Sequence, residues 1–207
     1  MTISKRIYDL LVVALFTAIL FIPSLIVALA VLILDGRPIF YLSERMKTPT
    51  KAFYLVKFRT MTVVDNDSGV SGGDKVSRIT RCGRFLRHSR LDEFPQLWNV
   101  LKGDISFVGP RPPLREYVER FPDLYAQVLK SRPGITGLAS VIYHGHEEWL
   151  LARSNSPAET DAIYARACVP RKAELDLIYQ KRRNLCLDFV LMWKTGFRKI
   201  PLHRRKP

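Results

Sequence analysis

Asp92 and Glu93 stand side by side in a chain of formal charge +14, with Arg87 shortly before them and Arg111 shortly after. Adjacent carboxylates are common on solvated helix faces and alone mean little. Between a row of arginines and an apolar segment they need a reason. A divalent cation with a phosphorylated substrate supplies one. Mg2+ prefers one or two carboxylates together with phosphate oxygens, and arginines neutralise the remaining phosphate charge. A carboxylate can also attack phosphorus and form an acyl phosphate. Two unit anions repel by about 4 kcal/mol at 4 Å and an effective dielectric of 20, so an Asp nucleophile for phosphoryl chemistry belongs among cations. Lys57, Arg59, Asp104 and Arg132 are further polar residues that such a site could draw on.

The elements that must position these groups are short. Residues 39–42 (IFYL) and 53–58 (FYLVKF) read as strands rich in aromatics, separated by a polar loop with Pro49. Residues 65–74 form a Gly/Ser/Asp loop. Arg78, Arg81, Arg84 and Arg87 recur every third residue and so lie near one helix face. That face is either solvated or a surface for phosphate. Leu91, Phe94, Leu97, Trp98 and Leu101 keep a helical period, with Lys102-Gly103 as its stop. Pro95 is tolerated only in a first turn, which puts Asp92 and Glu93 at or near that helix's N-terminus, where anions are favoured and phosphate can bind.

Residues 108–113 and 132–137 are stiff turns, each with an arginine beside proline. Residues 158–181 read as helical and amphipathic. Residues 187–197, with Trp193 and flanking Lys194, Arg198 and Lys199, suit a helix in the lipid headgroup zone and equally a core helix. His144 and His146 read as part of a surface loop rather than as metal ligands. Cys82, Cys168 and Cys186 fit no metal spacing and read as reduced thiols. There is no internal repeat, zinc-finger spacing or P-loop. Charge alone is what would suggest a nucleic-acid partner, and none is expected.

Residues 10–34 are uncharged and apolar, with Pro23 near their middle. Only lipid or a large protein interior accommodates such a run. It is too long for a signal-peptide core, and Asp35-Gly36-Arg37-Pro38 is a poor cleavage site. As a straight helix it would be roughly 37 Å long, enough to cross a bilayer. Lys5 and Arg6 before it and the basic region after it both prefer the cytoplasmic side. Pro23 splits it into halves of roughly 18–20 Å, each too short to cross. Charge and proline leave a span and a re-entrant helix–break–helix both open.

At these residues the chain resembles the monotopic phosphoglycosyl transferases, bacterial sugar transferases that initiate surface glycan assembly. The resemblance rests on Lys5-Arg6-Ile7-Tyr8-Asp9 and Lys57-Phe58-Arg59-Thr60-Met61. It continues through Arg87-His88-Ser89-Arg90-Leu91-Asp92-Glu93 and Gln96-Leu97-Trp98-Asn99-Val100-Leu101-Lys102-Gly103-Asp104. Ser106-Phe107-Val108-Gly109-Pro110-Arg111-Pro112 and Arg132-Pro133-Gly134-Ile135-Thr136-Gly137 complete it. It implies transfer of a sugar-1-phosphate from a UDP-sugar to a polyprenol phosphate, typically undecaprenyl phosphate, with release of UMP. Asp92 would carry the covalent phosphosugar. Glu93, with Asp92, would hold Mg2+. Arg87 and Arg111 would lie around the phosphates, and Lys57, Arg59 and Arg132 belong to matching motifs as candidate phosphate-binding groups.

The resemblance also implies an α+β, mostly α fold. A re-entrant membrane helix in residues 1–36, broken at Pro23 and Ser24, precedes a catalytic domain in residues 37–207 with interfacial helices and a short sheet. The expected location is the cytoplasmic face of the bacterial inner membrane, in contact with lipid, with a homo-oligomer open. Two departures stand out: Ile22-Pro23-Ser24 where members carry Ser-Pro, and residues 138–146 (LASVIYHGH) where members carry a different donor-side loop. A non-catalytic scaffold that binds anionic lipid is the alternative.

Overall fold

The computed structural model describes residues 2–64, 69, 70 and 73–196. Most of the expected 65–74 loop lies outside these residues, as do Phe197, Arg198 and Lys199. The elements are α1 (Ile3–Leu34), the hairpin strands β1 (Phe40–Met46) and β2 (Ala52–Phe58), α2 (Arg81–Ser89), α3 (Gln96–Lys102) and β3 (Ser106–Val108). They continue with α4 (Arg115–Arg120), α5 (Pro122–Val128), β4 (Gly134–Thr136), α6 (Leu138–Leu151), α7 (Pro157–Ile163), α8 (Val169–Arg182) and α9 (Leu185–Gly196). Helix dominates, with two small two-stranded sheets among the described residues.

α1 starts at Thr2, whose hydroxyl accepts from the Lys5 amide, and ends at Asp35. It runs as one helix through Pro23. The expected break at Pro23 and Ser24 is therefore not an unwinding. Proline removes one backbone donor, but backbone in an apolar surrounding keeps its remaining internal bonds. The buried residues of α1 are Asp9, Val13, Val27 and Val31, on one face at its two ends. Val13 packs with Phe53, Val100 and Phe107, whereas Val27 and Val31 pack with Phe58 and Leu86. Between them Leu15, Ile19, Phe21, Ile22 and Leu25 are all more than half exposed.

Polar bonds fasten both ends of α1. The Lys5 ammonium donates to Asp188 Oδ2 at 2.6 Å, and the Arg6 guanidinium donates to the Val100 and Leu101 carbonyls at 2.7 Å each. At the other end the Arg59 guanidinium donates to the carbonyls of Asp35, Gly36 and Pro38. The Thr80 hydroxyl donates to Asp35 Oδ2 at 2.8 Å.

β1 and β2 pair antiparallel, with Tyr41 opposite Lys57 and Arg45 opposite Phe53. The strands are longer than the aromatic cores that signal them. β3 and β4 pair in parallel, Ser106 with Gly134 and Val108 with Thr136. The second stiff turn is thus partly strand. A Cβ at Gly109, Gly134 or Gly137 would lie 2.2 Å from backbone of the facing segment, so the two turns cross at a contact only glycine allows. The main apolar core joins Tyr117, Val118, Tyr125, Val128, Leu151, Cys168 and Val169.

The structure overturns one sequence expectation, the loop at His144 and His146, and refines two others. Residues 158–181 divide into α7, a π turn at Tyr164–Cys168, and α8 with Pro170 in its first turn. His144 and His146 lie within α6, not in a loop. The helix tolerates Gly145, at about 1 kcal/mol relative to alanine, because tertiary packing outweighs that preference; His144 pairs with Glu148 at 3.2 Å, and His146 stacks on Trp149. In α9, Asp188 and Leu191 are buried while Phe189 and Trp193 are exposed. That helix therefore has one core face and one open apolar face.

Candidate active site

α2 ends at Arg90, which adopts a left-handed conformation at φ +57°. A non-glycine residue there costs roughly 1–2 kcal/mol, and the turn is used to reverse the chain at once. A 3-10 turn at Leu91–Glu93 follows, and Pro95 precedes α3. Asp92 and Glu93 therefore sit in this turn and not in the first turn of a long helix. Leu91 and Phe94 pack against the cluster of Val27, Val31, Phe58 and Leu86. The two carboxylates between them are left to face cations.

Glu93 Oε1 accepts from Lys57 Nζ at 3.0 Å and from Arg111 at 3.2 Å, and Oε2 lies 3.6 Å from Arg90. Its side chain is 11% exposed. Burial, the largest single influence, would raise its pKa, but Lys57, Arg111 and Arg90 together hold it well below the usual carboxylate range. Asp92 is 8% exposed. Burial raises its pKa, Glu93 adds to the rise, and Lys57, Arg87 and Arg111 only partly offset it. Two adjacent carboxylates are thus pushed in opposite directions, a pattern that separates roles. Glu93 is a permanent anion tying cations together. Asp92 is the more basic carboxylate and hence the better nucleophile.

Each cation has its own support. Lys57 projects from β2, and burial lowers its pKa against the pull of Glu93. Arg111 follows the crossing at Gly109, and the Glu93 charge raises its pKa. Arg87 Nε donates to Thr60 Oγ1 at 2.9 Å. α2 lies so close to Thr60 that a Cβ on Gly83 would come 2.0 Å from the Thr60 carbonyl oxygen. Asn99 of α3 accepts from the Val56 amide at 3.0 Å and donates to the Tyr54 carbonyl at 2.8 Å. It thereby fixes β2, and with it Lys57, beside Glu93. Asp104 sits behind Asn99, near Lys47 and Lys102.

Of the sequence candidates, Asp92, Glu93, Lys57, Arg87 and Arg111 converge. Arg59 does not join them, because its donors cap the end of α1. Arg132 stands apart as well, near Gly103 and Arg6 at the far end of α3, with Asp9 and Asp104 as its anionic neighbours. Arg45 escapes sequence reasoning. It is carried by β1 on the sheet face that holds Lys57, and only the hairpin register could have revealed that. Lys172, bonded to Glu147 at 2.8 Å and Tyr164 at 3.2 Å, also went unmarked. No cluster of three or more His, Cys, Asp or Glu groups forms among the described residues. A divalent cation here would rest on Asp92 and Glu93, with substrate oxygens completing its shell.

Residues 1–200 match the family model for bacterial sugar transferases. The chain is 39% identical over 199 residues to the uncharacterized sugar transferase EpsL of Bacillus subtilis, covering 93% of this chain and 85% of that one. It is 33% identical to a UDP-glucose:undecaprenyl-phosphate glucose-1-phosphate transferase of Klebsiella pneumoniae, over 94% of this chain and 39% of that protein. It is 36% identical to a UDP-N-acetylgalactosamine-undecaprenyl-phosphate N-acetylgalactosaminephosphotransferase of Aeromonas hydrophila, over 92% of this chain and 42% of that one. The chain thus spans about two fifths of the length of the latter two. With the family model matched almost end to end and the carboxylate–cation cluster in place, the chain belongs to the bacterial sugar transferases.

Proposed function

We propose that the chain transfers a sugar-1-phosphate from a UDP-sugar to a polyprenol phosphate, undecaprenyl phosphate by the names of its relatives, as a first membrane step of glycan assembly. The observation that carries the reading is the Asp92–Glu93 pair, one carboxylate made basic by burial and the other held ionised by Lys57, Arg111 and Arg90. Asp92 attacks the sugar-proximal phosphorus. A bond forms from its carboxylate oxygen to phosphorus, the bond from phosphorus to the bridging oxygen breaks, and UMP leaves with that oxygen. A phosphate oxygen of the polyprenol phosphate then attacks the same phosphorus and releases Asp92 as carboxylate. Arg87 and Arg111 neutralise charge on the equatorial oxygens, and Lys57 keeps Glu93 in register. Mg2+ held by Asp92, Glu93 and donor oxygens would add further neutralisation of phosphate charge.

The lipid acceptor requires a site at the headgroup level. The exposed apolar middle of α1 and its two ends fastened to one body support a re-entrant helix rather than a span. Lys5, Arg6 and the basic body favour the cytoplasmic face. The test is a donor labelled at its sugar-proximal phosphate. Label should stay on the protein without acceptor, leave on adding polyprenol phosphate, and be absent in Asp92→Asn. A protein that releases no UMP from any UDP-sugar would instead be a lipid-binding scaffold.

A further inference from the structure

Arg45 is a partly buried guanidinium with little to balance it. Its Nε donates to the Ser43 hydroxyl at 3.1 Å, and no carboxylate lies within 4 Å of it among the described residues. One bond ties its strand to the turn that carries Arg111, and a second ties it to α4 just beyond. The Met46 amide donates to the Pro113 carbonyl at 3.0 Å, and Arg115 pairs with Glu44 at 2.7 Å. The hairpin register puts Arg45 on the face of Lys57 and Tyr41. Arg45 and Arg111 are near enough to repel, with Tyr164, Tyr41 and Glu116 as the remaining electrostatic neighbours. Arg111 has Glu93 at 3.2 Å, but Arg45 has no carboxylate in ion-pair contact among the described residues, and a half-buried cation in that position gains from an arriving anion.

We propose that Arg45 and Arg111 clamp the phosphate of the leaving nucleoside monophosphate. This inference rests on the transfer reading above. Arg111 touches Glu93 at 3.2 Å and Lys57 touches it at 3.0 Å, whereas Arg45 stands opposite Phe53, along β1 from Tyr41, the residue opposite Lys57. Arg45 is thus one step further from the nucleophile, where the second phosphate of a diphosphate donor falls. In an in-line displacement the departing oxygen lies opposite the attacking one. That oxygen leaves with the bond's electron pair, so the new negative charge appears on the nucleotide phosphate. The neighbours of Arg45 belong to β1, α4 and the π turn, whereas α1 packs on α2, α3 and β3. A soluble nucleotide leaves by the former side and a lipid phosphate arrives by the latter.

The test uses the full chain in detergent or nanodiscs, with UMP as the probe. Arg45→Gln should weaken UMP binding in calorimetry by tenfold or more and raise the KM for UDP-sugar. Arg45→Lys should recover part of that. Chase of a preformed phosphosugar–enzyme by polyprenol phosphate should stay within twofold of the unsubstituted protein. Ser43→Ala, which frees the Arg45 fork without removing it, covers the case in which Arg45→Gln does not fold, and should weaken UMP binding several-fold. UMP affinity unchanged in a folded Arg45→Gln or Ser43→Ala protein overturns the inference, as does a defect confined to the chase, which would assign Arg45 to the lipid phosphate. An unsubstituted protein that neither binds nor releases UMP overturns the transfer reading itself.

Discussion

Glu93 and Asp92 are neighbours in sequence and share Lys57 and Arg111 as electrostatic neighbours, yet they differ in the balance of burial and charge. Glu93→Gln leaves Lys57 and Arg111 without their anion, and breaking a mostly buried pair from one side costs about 3–5 kcal/mol. Its depressed folded pKa means this stabilisation is complete above the unfolded value near 4.5 and is lost as pH falls through the folded value. Melting temperatures should therefore separate Glu93→Gln from the parent at pH 7, and the gap should narrow toward pH 2. Asp176 behaves oppositely. It is 6% exposed, its Oδ1 has no hydrogen-bond partner among the described residues, and burial pushes its pKa up to about 7 against the pull of Lys172. Its contribution is full below the unfolded value of 3.8 and is lost as pH rises to about 7. Asp176→Asn should thus gain roughly 1–3 kcal/mol at pH 8 and almost nothing at pH 4, read as a Tm rise of several degrees at the higher pH only. Asp92, Glu93 and Arg111 can be picked from the sequence because each sits in a motif of unusual composition. Arg45 and Asp176 cannot, since their meaning lies in partners they lack, and a missing partner is a property of packing.

Among the elements, the end of β2 is where the sequence misstates the purpose of a charge. Arg59 lies in the same short motif as Lys57, so a common role is the natural reading. Lys57 stands within β2 and reaches Glu93, whereas Arg59 lies one residue past the strand's end and turns to the carbonyls at the end of α1. Those carbonyls have no partner within the helix, and one guanidinium satisfies three backbone groups there. Arg59→Gln should therefore lower thermal stability by about 2–3 kcal/mol, the range for hydrogen bonds to a charged donor and for orphaned buried acceptors. The folded fraction should keep the parent's KM for UDP-sugar. Arg111→Gln should do the reverse in kinetics, raising KM at least tenfold. A shift in KM with Arg59→Gln and none in stability would return Arg59 to the phosphates. The strands, α2 and α9 follow from aromatic runs, arginine spacing and apolar period. The division of residues 158–181 by a π turn does not, because one inserted residue leaves the amphipathic pattern nearly intact.

For the whole molecule the question is what α1 makes of the membrane. A straight helix of 32 residues is roughly 48 Å long, more than a bilayer core needs. If it spanned, its two ends would lie on opposite faces. Yet Lys5 and Arg6 at one end bind α9 and α3, and Asp35 at the other binds Arg59 and Thr80. One folded body holding both ends favours the proposed re-entrant helix over a span. On the proposed re-entrant reading, the apolar length between, exposed at Leu15, Ile19, Ile22 and Leu25, is the part that meets lipid. Pro23 is where the missing backbone bond makes bending cheapest. Sequence supplies the apolar run and the proline, while the fastening needs contacts separated by more than 90 residues, as between Arg6 and Val100. Single cysteines at Ile3 and at Arg37, both exposed, test this in a background with Cys82 and Cys186 replaced by serine and buried Cys168 kept. In intact spheroplasts an impermeant maleimide should label neither position, and after permeabilisation it should label both to similar extent. Labelling of one position alone before permeabilisation would make α1 a plain span, and the contacts of one of its ends with the body would then have to be absent in the membrane.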